Sequence, residues 1–438
     1  MSNLFTPLTI GSMPLTHRIA MAPMSRYRAD DMHIPKAAMA TYYSQRACVP
    51  GTLLIAEASF ISPNQIGFAN SPGIYNEEQV AAWRAVTDAV HARGSFIVCQ
   101  LLAAGRAVDP AVASAEGVEV LSSSAVAQDK EHAVPRAMTV AEIQRTVQEF
   151  ATAAKNAMRA GFDAVEIHGA YGYLVDQFLQ DTCNVREDAY GGSIENRSRF
   201  AVEVVRAVAR AIGPEKTALR LSPWSRVQGM RMADPVSQFS HVIREVSALG
   251  PLAYLHLVNS RVHGFEDVDA PASESLDFAF KLWDGPILVA GGYDGESAKR
   301  FIDEEVGGRN NVVVVIGRPF TSNPDLVFRI REGISLAPYR REWFYTPRAS
   351  EGFADFPFSD EFLKTEGGGC RVVCLCGVDF CSKRDRARVL KQCTALWNAV
   401  VKLAITVGSA PFSGVSPRRN CGLLRLPTLV VLLSFRRV

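Results

Sequence analysis

One histidine and two tyrosines stand within six residues of each other in the stretch VEIHGAYGYLVDQFL, which begins at Val165. A histidine N–H and a tyrosine O–H are both hydrogen-bond donors. Directed at one oxygen, the donors of His168 and Tyr171 would stabilise negative charge that develops on a carbonyl. Tyr173 could then deliver a proton to a carbon that becomes basic. The competing interpretation is packing, because a His-x-x-Tyr pattern by itself is more often structural than catalytic.

The elements that would position these side chains follow one rhythm, in which short apolar runs alternate with longer amphipathic stretches. Eight runs are apolar enough for strands buried on both faces of a parallel sheet: RIAMAPM, GTLLIAEAS, SFIVCQLL, FDAVEIHG, TALRLSP, LAYLHLVNS, PILVAGG and NVVVVIGRPF. This alternation predicts an α/β protein with a single closed (β/α)8 TIM barrel. An open doubly wound sheet is the alternative, but it would carry a glycine-rich turn after its first strand, and MAPMSRYRA has none.

In such barrels the chemistry lies at the C-terminal ends of the strands. Three predicted strands end on a hydrogen-bonding side chain, namely Gln100, His168 or Arg220. The seventh ends on Gly291–Gly292 and the eighth on Gly317–Arg318. Glycines let backbone N–H groups approach phosphate oxygens, and an arginine can add a charge-assisted contact. The two late strand ends therefore indicate a phosphate site, with an ordinary surface ion pair as the alternative for the arginine.

Six motifs follow one another along the chain: AMAPMSRYR, GTLLIAEASFISPNQIGFANSPGIY, VCQLLAAGRA, VEIHGAYGYLVDQFLQDTCNVREDAYGGSIENRSRF, LRLSP and IGRPFTSNPDLVFRI. Together they resemble the old yellow enzymes, which are FMN-dependent ene-reductases that consume NADPH or NADH. The resemblance runs from about Leu4 to about Phe362 and has the character of the fungal branch that serves secondary metabolism. It implies that the barrel holds FMN and reduces the activated C=C bond of a small-molecule enone.

For the flavin, the resemblance implies three groups of contacts along the cofactor. Ser25 stands where a threonine usually hydrogen-bonds the flavin O4, and Ala58 backs the ring system. Gln100 and Arg220 would contact the pyrimidine edge, where the charge of Arg220 favours the anionic reduced flavin. The remaining implied contacts are Pro23 and Met24 beside the ring and Gly291, Gly292, Gly317 and Arg318 at the phosphate.

For the substrate, the resemblance implies that His168 and Tyr171 hold the oxygen of the activating group and that Tyr173 is the proton donor. Tyr345 matches an aromatic residue that lines the pocket. Two positions depart from the family pattern. Tyr171 replaces the usual asparagine or histidine, and Leu102 stands where tryptophan is common, which would open space for substrate on the opposite wall of the pocket. An isomerase or dehydrogenase that uses the same flavin, or an FMN-binding barrel with an impaired substrate site, therefore stays open beside the ene-reductase.

Composition narrows the class of partner. The net charge of +2 gives no indication of nucleic-acid binding, and the longest apolar run, LPTLVVLLSF, is about half the length that crosses a bilayer. The N-terminal residues lack the pattern of a secretory signal. Cys48, Cys99 and Cys183 are scattered in a way that suggests reduced thiols, so we expect a cytoplasmic monomer or homodimer with no metal site.

The C-terminal part differs in composition from the rest. Residues 366–438 carry 12 Lys and Arg and 3 Asp and Glu, whereas the preceding 365 residues carry 35 and 42. Six of the nine cysteines fall in this tail, without the C-x-x-C pairs of zinc modules. We therefore predict two segments, an FMN-binding barrel in residues 1–365 and a basic, Cys-rich tail in residues 366–438 that does not form a domain.

Overall fold

The computed structural model of the protein describes residues 2–263, 266–267 and 274–365. The basic tail, residues 366–438, lies outside the described residues. Its lack of a fold and the boundary after Thr365 therefore stay predictions.

Eight parallel strands form a closed barrel, in which each strand pairs with the next along the chain and the eighth pairs with the first. They are β1 (Ile19–Met21), β2 (Leu53–Ile55), β3 (Phe96–Leu102), β4 (Ala164–Gly169), β5 (Thr217–Leu221), β6 (Tyr254–Val258), β7 (Ile287–Ala290) and β8 (Val312–Ile316). Each strand lies within one of the eight predicted apolar runs. The predicted (β/α)8 TIM barrel is confirmed.

Helices surround the barrel, and the long ones bury one face against it. They are α1 (Ala37–Arg46), α2 (Glu77–His91), α3 (Pro110–Glu116), α4 (Val140–Arg159), α5 (Leu174–Leu179), α6 (Ile194–Ile212), α7 (Pro235–Ser247), α8 (Asp277–Leu282), α9 (Gly295–Arg300), α10 (Arg318–Ser322), α11 (Leu326–Glu332) and α12 (Asp360–Lys364). In α4, the buried residues Ile143, Val147 and Phe150 form the apolar stripe, and Thr139 and Glu142 form a capping box at its start.

A two-stranded hairpin, Leu8–Ile10 with Met13–Leu15, closes the N-terminal end of the barrel. Its buried side chains Ile10, Met13 and Leu15 belong to the same apolar cluster as the inward-facing residues of the barrel. Short strands outside the ring are Ser59–Phe60, Leu121–Ser122, Arg136–Ala137, Val262–His263 and Glu266–Asp267. Because the hairpin fills one end with apolar side chains, polar chemistry is confined to the other.

Two buried arginines fasten a C-terminal segment to the open end of the barrel. Arg26 donates to the carbonyl oxygen of Gly352 at 2.8 Å, and Arg28 donates to that of Ala349 at 2.9 Å. Both arginines lie in the loop that follows β1, so this segment and its Tyr345 are held beside the first strand. Within the described residues, no helix combines the length and apolarity needed to cross a membrane.

Candidate active site

A cavity of about 810 Å³ opens at the C-terminal ends of the barrel strands. It collects all but one of the residues that the sequence singled out: Pro23, Met24, Ser25, Ala58, Gln100, His168, Tyr171, Tyr173, Arg220, Gly291, Gly292, Gly317, Arg318 and Tyr345. They come from chain positions more than 300 residues apart. The closed barrel therefore brings one site together from the ends of seven strands.

Leu102 is the residue that the cavity does not include. Its side chain is buried and packs in a separate apolar cluster with Phe60 and Ile66, against which Phe68 and Tyr173 lie. Leu102 is thus covered by its neighbours instead of forming an exposed wall of the cavity. The expectation that a leucine at this position opens space for substrate is wrong in this respect.

A buried carboxylate organises the floor of the cavity. Glu166 accepts hydrogen bonds from Gln100 Nε2 at 2.6 Å and from His256 Nδ1 at 2.8 Å, and all three side chains are buried. Burial alone would raise the pKa of Glu166, but its interactions with His256, the charge of Arg220 and the bond from Gln100 lower it to about 2. The ionised carboxylate therefore fixes the Gln100 amide and balances the charge of Arg220.

Arg220 presents a donor that the protein itself does not use. Its buried Nε atom has no hydrogen-bond partner among the residues that the structure describes. Its guanidinium carbon lies 5.2 Å from the centre of the Tyr171 ring. Since a buried polar group without a partner is costly, an acceptor-rich ligand that reaches this donor would be stabilised.

The late strand ends expose backbone instead of side chains. Gly291 and Gly292 have φ values of 154° and 67°, and a Cβ at Gly291 would come within 2.6 Å of the Asn259 Cβ. Arg318 begins α10 directly after Gly317, with its guanidinium carbon 5.6 Å from the Tyr339 ring centre. Glycine backbone and a nearby guanidinium are the groups that bind a phosphate.

The histidine of the opening stretch is neutral, and its tautomer is set by the backbone. The Ala170 N–H donates to His168 Nδ1 at 3.3 Å, so Nε2 carries the ring proton. Burial and the nearby charge of Arg220 lower the pKa of His168 to about 3. His168 is therefore a neutral N–H donor over the whole physiological pH range.

The two tyrosines flank the tight turn at Gly172. Tyr171 has a left-handed backbone, with φ of 56°, and its N–H donates to Ser222 Oγ at 2.8 Å. Burial raises the pKa of Tyr171, and it raises that of Tyr173 to about 12. Both phenols keep their protons at neutral pH, so the turn presents two O–H donors beside the His168 N–H.

Aromatic side chains form the outer part of the cavity. The Tyr27 ring lies 5.4 Å from Tyr345 and 6.2 Å from Phe68, and Phe68 lies 6.1 Å from Tyr173, all centre to centre. Tyr345 is 41% exposed at the mouth.

The sequence analysis missed Tyr27 and Phe68, although both lie inside quoted motifs. It also missed Glu166, whose signal was a carboxylate two residues before His168 in an otherwise apolar strand.

Residues 3–337 match the NADH:flavin oxidoreductase / NADH oxidase family. The chain is 53% identical over 367 residues to the chanoclavine-I aldehyde reductase fgaOx3 of Penicillium roqueforti (strain FM164), covering 83% of this chain and 98% of that protein. It is 48% identical over 370 residues to the probable inactive dehydrogenase easA of Claviceps purpurea (strain 20.1), covering 83% and 97%. The crystal structure of Old Yellow Enzyme from Pichia sp. AKU4542 superposes with a TM-score of 0.76 at 36% identity, covering 82% and 94%.

Proposed function

The chain belongs to the NADH:flavin oxidoreductase / NADH oxidase family, and we propose that it is an FMN-dependent ene-reductase. In this proposal NADPH or NADH is the reductant, and the substrate is a small molecule with a C=C bond conjugated to a carbonyl. The observation that carries the proposal is the set of three neutral donors, His168, Tyr171 and Tyr173, which face one cavity beside a glycine-lined end. A cytoplasmic setting in fungal secondary metabolism is part of the same proposal.

The residues present fit FMN along its length. The buried Arg220 Nε needs an acceptor, which the pyrimidine edge of the ring system would offer. Gln100, held by Glu166, would complete that edge. Gly291, Gly292, Gly317 and Arg318 would receive the phosphate. Once bound, the flavin would supply the hydride for the substrate β-carbon.

The protein groups then handle charge and the proton. His168 Nε2–H and the Tyr171 hydroxyl would hold the carbonyl oxygen, where negative charge grows as the C=C bond is reduced. The Tyr173 O–H bond would break as a C–H bond forms at the α-carbon, and solvent would return a proton to the phenolate. A phenol with a pKa of about 12 stays protonated at neutral pH until the proton is transferred to the α-carbon.

Two observations support an aldehyde as the activating carbonyl and a planar apolar body as the rest of the substrate. The relative fgaOx3 is named as the reductase of an aldehyde. The outer wall of Tyr27, Phe68 and Tyr345 offers ring faces and edges against which a planar molecule packs. We therefore propose an α,β-unsaturated aldehyde as the substrate class.

The alternative is a flavin-binding barrel that does not reduce enones, and two observations favour it. Tyr171 is bulkier than the asparagine or histidine usual at its position, and relatives such as easA of Claviceps purpurea are named probable inactive. A flavin-assisted isomerase, which consumes no net NADPH, is a third reading. Retention of Tyr173 favours reduction, because loss of the proton donor is the simplest way to disable it.

The test separates the three readings by following the flavin colour without oxygen. The purified yellow protein is bleached with NADPH, excess NADPH is removed, and cinnamaldehyde or its saturated analogue is added. The proposal expects the flavin absorbance to recover with cinnamaldehyde and not with the saturated analogue. One molecule of saturated product should form for each flavin reoxidised. Recovery only on admission of oxygen favours the impaired site. Turnover of an enal without NADPH oxidation favours the isomerase.

A further inference from the structure

Asp176 is a buried acid that the reaction described above does not use. It lies in the first turn of α5, and its side chain is inaccessible to solvent. Its Oδ2 atom accepts the Gly172 N–H at 2.9 Å, and its Oδ1 atom accepts Gln180 Nε2 at 3.1 Å. Gln180 Oε1 in turn accepts the Met232 N–H at 3.0 Å. The carboxylate thus links the tyrosine turn to the loop that follows β5.

Asp176 holds Gly172, the residue that lies between the two tyrosines. Gly172 stands between Tyr171 and Tyr173 with φ of 79°, and a Cβ there would lie 2.7 Å from the Gln228 Cβ. Its carbonyl oxygen accepts Gln177 Nε2 at 2.7 Å. Both polar groups of Gly172 are therefore fixed from α5, and the directions of the two phenols depend on this anchorage.

The bonding pattern favours the ionised form of Asp176. Both carboxylate oxygens face N–H donors, and a protonated acid would direct an O–H at one of them. Burial raises the pKa of Asp176 to about 7, opposed by its bonds to Gly172 and Gln180 and by the charge of Arg106 from the loop after β3. The Cys183 thiol also lies within electrostatic reach, and its own pKa is raised to about 12, so it stays neutral.

We propose that Asp176 is a positioning residue for proton delivery, whose ionised carboxylate holds the Gly172 turn so that the Tyr173 hydroxyl reaches the substrate α-carbon. This inference rests on the proposed ene-reduction. It goes further by making the enal step depend on an acid that touches neither substrate nor flavin. The NADPH step needs no proton from Tyr173, so it does not depend on Asp176.

The experiment measures the two half-reactions by stopped-flow in wild type, Asp176→Asn and Asp181→Asn. Asp181 is an exposed acid five residues along the chain, which makes it the matched control. We expect Asp176→Asn to keep its flavin and its NADPH step, while reoxidation by cinnamaldehyde slows about 10–100-fold at pH 8, as for a misplaced reacting group. Asp181→Asn should match wild type in both steps.

A pH profile of the wild type and a double-mutant cycle distinguish positioning from general stability. In wild type the enal step should fall as pH drops through about 7, where Asp176 becomes protonated. Glu57 is a second buried acid with a pKa of about 7, so Glu57→Gln is the control. The fall should persist in this variant, because Asp176 still titrates there. In a Tyr173→Phe background, Asp176→Asn should slow the enal step little further, since both changes act on one proton transfer.

Four outcomes would overturn this inference, the proposed function or both. An active wild type with an unchanged enal step in Asp176→Asn overturns the inference and leaves the proposed function standing. Equal losses in both half-reactions, or full additivity with Tyr173→Phe, also overturn it, because they indicate a general structural role. A wild type that never reoxidises with an enal overturns the proposed function, and this inference with it.

Discussion

The imidazole of His168 lies edge-on against the phenol of Tyr173, with ring centres 4.8 Å apart and planes inclined at 81°. In a conjugated carbonyl compound the oxygen and the α-carbon are two bonds apart, so the groups that address them must be neighbours. A stretch of six residues, turned at Gly172, places one neutral N–H donor and one neutral O–H donor side by side. This pair is the geometric core of the proposed reaction.

Tyr173→Phe removes one hydroxyl and keeps the ring. Flavin reduction by NADPH should survive, and reoxidation by an enal should slow by about 10²–10⁴-fold, the usual contribution of a general acid. Tyr27→Phe is the control, since Tyr27 also lines the cavity but has no role in the proposed proton transfer. Stopped-flow absorbance of each half-reaction gives both rates. An unchanged enal step in Tyr173→Phe would refute its role and bring the isomerase reading forward.

Tyr171 separates a hydrogen-bonding role from a role in shaping the pocket. If its hydroxyl holds the carbonyl oxygen, Tyr171→Phe should slow the enal step by about 10²–10³-fold, as for loss of one oxyanion donor. If its ring only fills space over Arg220, Tyr171→Phe should change little. In that case Tyr171→Asn should broaden activity towards cyclic enones. Steady-state rates on cinnamaldehyde and cyclohexenone for the two variants decide between these roles.

Arg318 is the predicted charged contact to the flavin phosphate. Arg318→Ala should weaken FMN binding by about 1.5–3 kcal/mol, the magnitude for a charged hydrogen bond, or about 10–150-fold in Kd. Arg340→Ala is the control, because Arg340 lies outside the cavity with its guanidinium over Trp343. Fluorescence titration of the flavin-free protein measures both constants. Wild-type affinity in Arg318→Ala would remove Arg318 from the phosphate site.

Much of this architecture was readable in the sequence, and the reason is physical. Strands buried on both faces are mostly apolar, so all eight appeared as runs with few polar residues, and barrel chemistry collects near the ends of those runs. The contacts between distant elements were not readable. Glu166 and His256 lie on β4 and β6, which both pair with β5. The register places His168 and His256 opposite Arg220, and Glu166 lies two residues before His168 on β4. Leu102 was misplaced because its position along β3 does not reveal the apolar cluster in which it is buried, with Phe68 and Tyr173 packed against that cluster.

The barrel should not need the basic tail. Among the residues that the structure describes, those that line the cavity lie between Ala22 and Tyr345. Helix α12, the last one within the described residues, buries Phe362, whose ring lies 5.2 Å from that of Phe328. We expect a chain ending at Thr365 to be soluble and to bind FMN with the affinity of the full chain. Flavin content and Kd of the two proteins test this, and loss of flavin on truncation would contradict it.

Glu57 should make the stability of the protein depend on pH. The Arg26 N–H donates to its Oε2 atom at 3.1 Å, and the Tyr43 hydroxyl donates to its Oε1 atom at 3.3 Å. Burial raises the pKa of Glu57 to about 7, against the opposing effects of these partners. The native state therefore binds this proton more tightly than the unfolded chain, whose glutamate titrates near 4.5. It follows that the free energy of unfolding falls as pH rises from about 4.5 to 7.

Glu57→Gln removes this titration and keeps the shape of the side chain. Its amide oxygen can accept the Arg26 N–H, and its N–H can donate to the Tyr43 hydroxyl. Between pH 5 and pH 8 the wild type should lose about 2 kcal/mol more stability than Glu57→Gln, from about 1.4 kcal/mol for each pKa unit crossed. Glu78→Gln, an exposed change on α2, should follow the wild type. Urea denaturation at saturating FMN gives the three values at each pH. Parallel pH dependence in wild type and Glu57→Gln would mean that the Glu57 carboxyl is already ionised at pH 5, and that its partners outweigh the cost of its burial.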